Sequence, residues 1–269
     1  MSTSASNKLR SDIAWSNAEA IGVHGYDLCN DLIGRIDFGA MAFLVVTGRL
    51  PTDSEARLFN ALLITLVEHG IVPSTLAARM TYAGAPESMQ AAVAAGLLGL
   101  GSVFVGSTED AARMLSEALT GGSPAAPESP STMAETIVRR YREEKRIVPG
   151  IGHPIHKPVD PRTVRLFALA RETGFHGRYV ELMEQVATAA STSFGRDLPV
   201  NATGAIAALV CEMGLPWNVS RGLGVMARGV GLVGHLLEEA KQPMAMTIWH
   251  QVEDEASAHI RGTFRADRR

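Results

Sequence analysis

From Pro51 to Gly70 the chain reads PTDSEARLFNALLITLVEHG, and its apolar residues recur every third or fourth position. Leu58, Leu62 and Leu66 share one face, Thr52 and Glu55 stand at capping-box spacing, and Gly70 supplies a stop. The same period runs through SMQAAVAAGLLGLGSVFVG, whose small residues suit a tightly packed internal helix. It returns in STEDAARMLSEALTGG, with Ser107 or Thr108 as the cap and a glycine pair as the end. Alternation with period two is nearly absent, so the pattern predicts an all-α fold.

The strongest break in periodicity is TGGSPAAPESPST, Thr120 to Thr132, where Gly, Pro and Ser take over. A charged helix, a proline-rich loop and two or three further helices follow. This organisation predicts a large helical domain from 1–121 and 217–269 with a smaller helical domain, 122–216, inserted into it. The tail RGTFRADRR has no apolar face, so it frays or crosses to a partner chain. At 269 residues the chain is long enough for a substantial core. A net charge of −3 with 20% charged residues gives no field for nucleic acid and no basic patch for a membrane surface. The polar first residues carry no apolar leader, and a cytoplasmic location is expected. Cys29 and Cys211 sit in apolar contexts without ligand spacing and read as reduced core thiols. The apolar run Gly222 to Leu237 is too short to span a bilayer and contains Arg228 and His235; it reads as a buried helix.

Four stretches concentrate chemistry. In VPGIGHPIHKPVDPR, Asp160, Pro161 and Arg162 have the order N-cap, N1, N2 of a helix that ends before Gly174. A helix N-terminus attracts anions, and Arg162 would add a guanidinium fork beside His153. Equally, Arg162 could be a solvated charge and His153 a turn residue. His153 and His156 have metal-like spacing but no third ligand nearby in sequence, so no metal is expected. His69 falls on the last turn of the Thr52 helix, where imidazolium is favoured; it is either a helix-end partner or a catalyst. Arg228 is the one charged residue between Arg221 and Glu238. Burying it requires an anion, either a protein carboxylate or a ligand's. Finally, Asn201 and Thr203 open a helix of small apolar residues that ends at Gly214.

Taken together these segments resemble the citrate synthase superfamily, and within it the short citryl-CoA lyase-like branch, which includes the C-terminal citryl-CoA-cleaving module of ATP-citrate lyase. VHGYDLCNDLIGRIDFGAMAFLVVTGRLPTDSE is similar to the family's N-terminal segment. EHGIVPSTLAAR resembles its "DHG.n.ST..AR", GIGHPIHKPVDPR its "GfGHrvyk.yDPR", and ARGVGLVGHLLEE its "aR.vGw.aH..E". The resemblance implies a helical dimer or higher homo-oligomer with an active site in the cleft between two domains. It implies His69 and His153 as catalytic groups on the acid half of the substrate, with His153 polarising a C–O bond. Arg162 and Arg228 would grip carboxylates, with Phe104, Asn201 and Thr203 completing the substrate site. Gly150, Gly152, His156 and Lys157 would lie against coenzyme A, which enters as a substrate or product thioester; no permanently bound cofactor is implied.

Two departures qualify that picture. Phe104 stands where citrate synthases carry a histidine, as it does in the citryl-CoA-cleaving module. Thr203 stands where the family carries the aspartate that moves the α-carbon proton, and threonine has no accessible pKa for that work. Glu68 could substitute if its carboxylate turns inward. The implied function is a carbon–carbon lyase or synthase that interconverts a citryl-CoA-like thioester with acetyl-CoA and a 2-keto acid such as oxaloacetate. The partners are then small molecules, a CoA thioester and a di- or tricarboxylate. Retro-Claisen chemistry on another acyl-CoA, or a weakened CoA- or dicarboxylate-binding protein, are the alternatives.

Overall fold

The computed structural model describes residues 9–103, 105–120, 129–153 and 156–261. Eleven α-helices dominate these residues. Ahead of them lies a small antiparallel sheet of β1 (Ala14–Ser16), β2 (Ile21–Val23) and β3 (Tyr26–Asp27), followed by one π-helical turn at Leu28–Leu32. Strands of two or three residues are too short for alternation to register, so the periodicity argument passes over them. Gly22 leaves room for the Trp15 indole, which a Cβ would meet at 2.4 Å. The π-helical turn carries Cys29 on the surface, which corrects the reading of it as a core thiol. Cys211 is buried, and burial pushes its thiol up to about 12.

Local signals set most helix ends. α1 (Phe38–Thr47) is capped by the Asp37 carboxylate, which accepts from Ala40 N, and it stops at Gly48 with φ +79°. α2 (Asp53–Val67) has the full capping box of Thr52 and Glu55. It ends two residues before His69, so His69 lies in the turn beyond the helix and not on its last turn. α3 (Pro73–Gly84) and α4 (Met89–Leu98) pack against each other. Only Ala92 and Gly96 of α4 are buried and Leu98 is exposed, so this helix covers one side of the core and is not internal. α5 (Gly106–Thr120) starts at Gly106, which places Ser107 and Thr108 inside its first turn and not at its cap.

α6 (Pro130–Glu143), α7 (Pro161–Thr173), α8 (Arg178–Phe194) and α9 (Ala202–Glu212) form the next group. α7 has the expected Asp160 cap, Pro161 start and Gly174 end. α9 is buried almost end to end and packs against α5, α7 and α8. Its small residues let those helices approach closely. The long α10 (Val219–Lys241) then returns to α2, α3, α4 and α5, and α11 (Ala245–Arg261) packs on α3. One face of α10 is buried, through Leu223, Ala227, Gly231, Leu232, Leu236 and Glu239, while Val230 and Leu237 are exposed. The helix is thus amphipathic and not enclosed. The main apolar cluster runs continuously from Phe43, Leu58 and Phe59 to Met183, Val186, Ile206 and Leu209. The C-terminal tail from 262 and the heart of the 120–132 break lie outside the described residues.

Candidate active site

The loop before α7 is seated on the start of α9. Gly150 has φ +85°, and a Cβ there would lie 2.7 Å from Gly204 Cα. A Cβ on Gly204 would lie 2.2 Å from Gly150 O. Glycine at both positions allows the two backbones to touch. Asn201 N donates to Gly150 O (3.0 Å), Asn201 Nδ2 to Gly152 O (2.7 Å), and Gly152 N to Pro199 O (2.7 Å). This lacing presents His153 at a fixed height beside the first turn of α9.

Asp160 joins the two helix starts. It is fully buried, and its Oδ1 accepts from Arg162 N and Nε, both at 3.0 Å. Its Oδ2 accepts from Arg162 Nη2 (2.8 Å) and Ala202 N (3.0 Å). Burial alone would raise its pKa, but Arg162 and the two backbone N–H groups outweigh that and hold the carboxyl below its ordinary range. Arg162 is therefore a fixed guanidinium, oriented by the cap of its own helix.

His69 comes from the other side. Glu68 Oε1 accepts from His69 N (2.8 Å) and Gly70 N (2.7 Å), which closes the turn after α2 with Gly70 at φ +76°. Glu68 Oε2 faces α10, 3.0 Å from His235 Nε2. Burial raises the Glu68 pKa, but His235 and the two backbone donors outweigh it and leave the group low. Its carboxylate is turned away from the site, which removes Glu68 as a stand-in for the missing aspartate. α10 comes this close because position 231 is glycine, where a Cβ would sit 2.2 Å from Val67 O.

These pieces surround one cavity of about 500 Å³ lined by His69, Gly150, Gly152, His153, Arg162, Asn201, Thr203 and Arg228, among others. Val103 and Val105 line it too; Phe104, between them, lies outside the described residues. Arg228 Nε and Nη1 are buried and have no hydrogen-bond partner. Among the described residues no carboxylate pairs with Arg228. Thr203 Oγ1 donates to Asn201 Oδ1 (2.7 Å), which also caps α9 through Gly204 N (3.1 Å). Lys157 lines a neighbouring cavity of about 790 Å³ that shares Gly152 and His153 and also presents Arg146 and Arg196.

The imidazoles of His69, His153 and His156 cluster, with ligating nitrogens within 4.8 Å of one another. His69 thus provides the third imidazole that sequence spacing did not place beside the other two. The His153 tautomer argues against a cation at this point. His156 N donates to His153 Nδ1 (3.0 Å), so neutral His153 carries its proton on Nε2 and offers no lone pair there. Burial, then His156 and Arg162, keep the His153 pKa below its ordinary value, which preserves this neutral donor.

Some lining groups escape sequence reasoning. Thr108, on the first turn of α5, is buried against the cavity with an unpartnered Oγ1. Arg146 and Arg196 line the neighbouring cavity, and no local sequence signal marks them.

The fold and its cavity define an all-α protein of the citrate synthase class, and the comparisons agree. A family profile described as "Citrate synthase, C-terminal domain" matches residues 35–249. Citryl-CoA lyase from Hydrogenobacter thermophilus superposes with a TM-score of 0.78 at 36% identity, covering 87% of this chain and 88% of that one. ATP citrate lyase from Methanothrix soehngenii, solved with citrate and coenzyme A, shares the fold at TM-score 0.71 and 22% identity, over 87% of this chain and 39% of that one. ATP-citrate synthase subunit 1 of Sordaria macrospora is 28% identical over 220 residues, which is 76% of this chain and 31% of that protein. The chain spans a third or less of the length of the ATP-citrate synthases it matches. It belongs to the citrate synthase family.

Proposed function

We propose that the protein is a carbon–carbon lyase or synthase that interconverts a citryl-CoA-like thioester with acetyl-CoA and a 2-keto acid such as oxaloacetate. The observation that carries this reading is the half-buried Arg228, whose Nε and Nη1 are shielded from solvent with no hydrogen-bond partner among the described residues, in the cavity that also holds His69, His153 and Arg162. Guanidinium nitrogens shielded without a partner are costly, and a substrate carboxylate relieves that cost. Arg162 and Arg228 bind carboxylates, His69 contacts the acid portion, and His153 Nε2–H donates to the oxygen that alternates between hydroxyl and carbonyl. Asn201, Thr203 and Phe104 complete this pocket. Gly150, Gly152, His156 and Lys157 border the thioester. The coenzyme's phosphates fall toward Lys157, Arg146 and Arg196 in the adjoining cavity.

In cleavage the hydroxyl proton leaves, the C–O bond becomes C=O, and the C–C electron pair passes to the thioester fragment as an enolate. A proton then joins the α-carbon. Fixed donors aimed at the developing charges stabilise both halves. The site draws His69 and Arg228 from the 1–121 and 217–269 segments, and His153, Arg162 and Thr203 from 122–216. That distribution supports two domains with the reaction in the cleft between them. A homodimer or higher homo-oligomer is part of this reading. No helix among the described residues is long and apolar enough to cross a membrane; a cytoplasmic location fits this reading.

The test is purified protein with citryl-CoA, following acetyl-CoA and the keto acid by mass spectrometry. Production of both supports the reading. Binding without turnover would overturn it in favour of a dicarboxylate- and CoA-binding protein, the second reading favoured by a Thr203 hydroxyl already committed to Asn201.

A further inference from the structure

The cleavage step needs a group that takes the hydroxyl proton and returns it to the α-carbon, and most polar side chains around the cavity are unable to do so. Both arginines stay protonated at any working pH. The Thr203 hydroxyl donates to Asn201 Oδ1. Both Asp160 oxygens are engaged by Arg162 and by Ala202 N, and Glu68 is turned to His235. His153 has Nδ1 occupied by the His156 N–H, so it donates through Nε2 and has no lone pair left to accept with.

Two imidazoles remain among the described groups, His69 and His156. The His156 ring stacks on that of His153, with centroids 4.5 Å apart and planes inclined by 29°, whereas His69 stands 6.4 Å from His153. A ring nitrogen of His156 lies within 4.8 Å of one on each of His153 and His69, and His156 is half-buried where His69 is exposed. A base beside the donor that holds the reacting oxygen is well placed to receive that oxygen's proton, and an imidazole has the right basicity near neutral pH.

Resting on the proposed citryl-CoA chemistry, we infer that His156 is the acid–base group of this enzyme, doing the work of the absent carboxylate at Thr203. In cleavage the His156 imidazole takes the hydroxyl proton as the C–C bond breaks. The resulting imidazolium then protonates the enolate carbon, so proton and electron pair both balance without another reactant. In condensation the same ring removes the α-carbon proton.

The experiment compares His156→Gln and His156→Ala with the wild-type protein in citryl-CoA cleavage, alongside oxaloacetate binding by calorimetry. The expected result is a fall in kcat of about 10²–10⁴ with KM within threefold, oxaloacetate affinity retained, and loss of the imidazole limb from the pH profile of kcat. Thr203→Asp placed in the His156→Gln background should restore at least tenfold of the lost rate. Turnover of either variant within fivefold of wild type overturns the assignment. So does loss of oxaloacetate binding in both variants, which would make His156 a structural or binding residue. A wild-type protein that never cleaves citryl-CoA instead overturns the functional reading on which this one rests.

Discussion

Arg79, fully buried, and Arg228, half-buried, both lie at the contacts of α10, and their partners differ. Arg79 is 1% exposed. Its Nη1 donates to Glu239 Oε2 (2.8 Å), and its Nη2 meets Glu238 and His235 Nδ1 (2.8 Å). Glu239 Oε1 in turn accepts from Met244 N and Ala245 N, both at 2.9 Å, at the entry to α11. Arg228, lying in α10 itself, has Nε and Nη1 buried with no partner. The first arginine is a joint between three helices, answered by the protein's own anions. The second, in the proposed function, is the receptor for an anion of the substrate. The two are also connected. Arg79 donates to His235 Nδ1, which leaves the His235 proton on Nε2 toward Glu68, the residue that closes the His69 turn. Arg228, Gly231, His235 and Glu239 fall on one side of α10, so the joint and the receptor are held by one rigid helix.

The largest effect that would test this contrast is on Arg79. Arg79→Met strands the buried Glu239 carboxylate, and chemical denaturation should show a loss of about 3–5 kcal/mol. Adding Glu239→Leu should recover much of it; a single-variant loss below about 1 kcal/mol would show that Arg79 is no joint. Arg228→Met should do the reverse. Its stability should stay within about 1 kcal/mol of wild type or rise, because a half-buried guanidinium with two shielded, unpartnered nitrogens has gone. Its calorimetric affinity for oxaloacetate or citrate should fall about 100-fold, matching the loss of ~2–3 kcal/mol in charge-assisted hydrogen bonds. A destabilised Arg228→Met that still binds its ligand normally would erase the distinction. A smaller effect is expected from Glu68→Gln. The amide keeps one oxygen for His69 N and Gly70 N but loses its charge opposite His235, so KM should rise severalfold through a loosened His69 turn while the melting temperature moves by a few degrees at most.

The helix framework was readable because its signals are local: Thr52 with Glu55, Asp160 with Pro161, Gly174, and Asn201 each act within a few residues. The isolation of Arg228 in an apolar run was readable too, and it already posed the question of which anion answers it. What sequence did not show is longer in reach or finer in geometry. Arg79 and Glu239 are 160 residues apart, and no pattern links them. The Glu68 carboxylate, by capping its own turn, ends α2 early and carries His69 off the helix. That depends on a rotamer and a glycine φ, not on composition. The clamp of Asp160 on Arg162 spans two residues across a helix start, a contact that periodicity is unable to register. The backbone touch of Gly150 on Gly204 needs the fold before its glycines acquire meaning.

A third arginine supplies the intermediate case and the smallest expected effect. Arg49 is half-exposed at the surface, and its Nη1 and Nη2 donate to Glu55 Oε2 (2.9 Å) and Oε1 (2.5 Å). The Arg49 hydrogen bonds, against the opposing pull of burial and with help from Thr52, lower the Glu55 carboxyl from 4.5 to about 2. A carboxyl lowered in the folded state binds fewer protons there than when unfolded. The stabilisation is therefore complete above about pH 4.5 and is lost as pH falls from there toward 2. Because Arg49 is open to solvent, screening reduces the contribution to the order of 1 kcal/mol. Glu55→Gln should consequently be less stable than wild type by about that amount at pH 7. The gap should close steadily between pH 4.5 and pH 2, leaving an acid limb from Asp160, Glu68 and Glu239, whose carboxyls are also held low. Urea midpoints at pH 7, 4 and 2.5 measure it. A gap that stays constant with pH would mean that Glu55 acts through the capping box alone, and that an arginine answered at the surface contributes nothing through its charge.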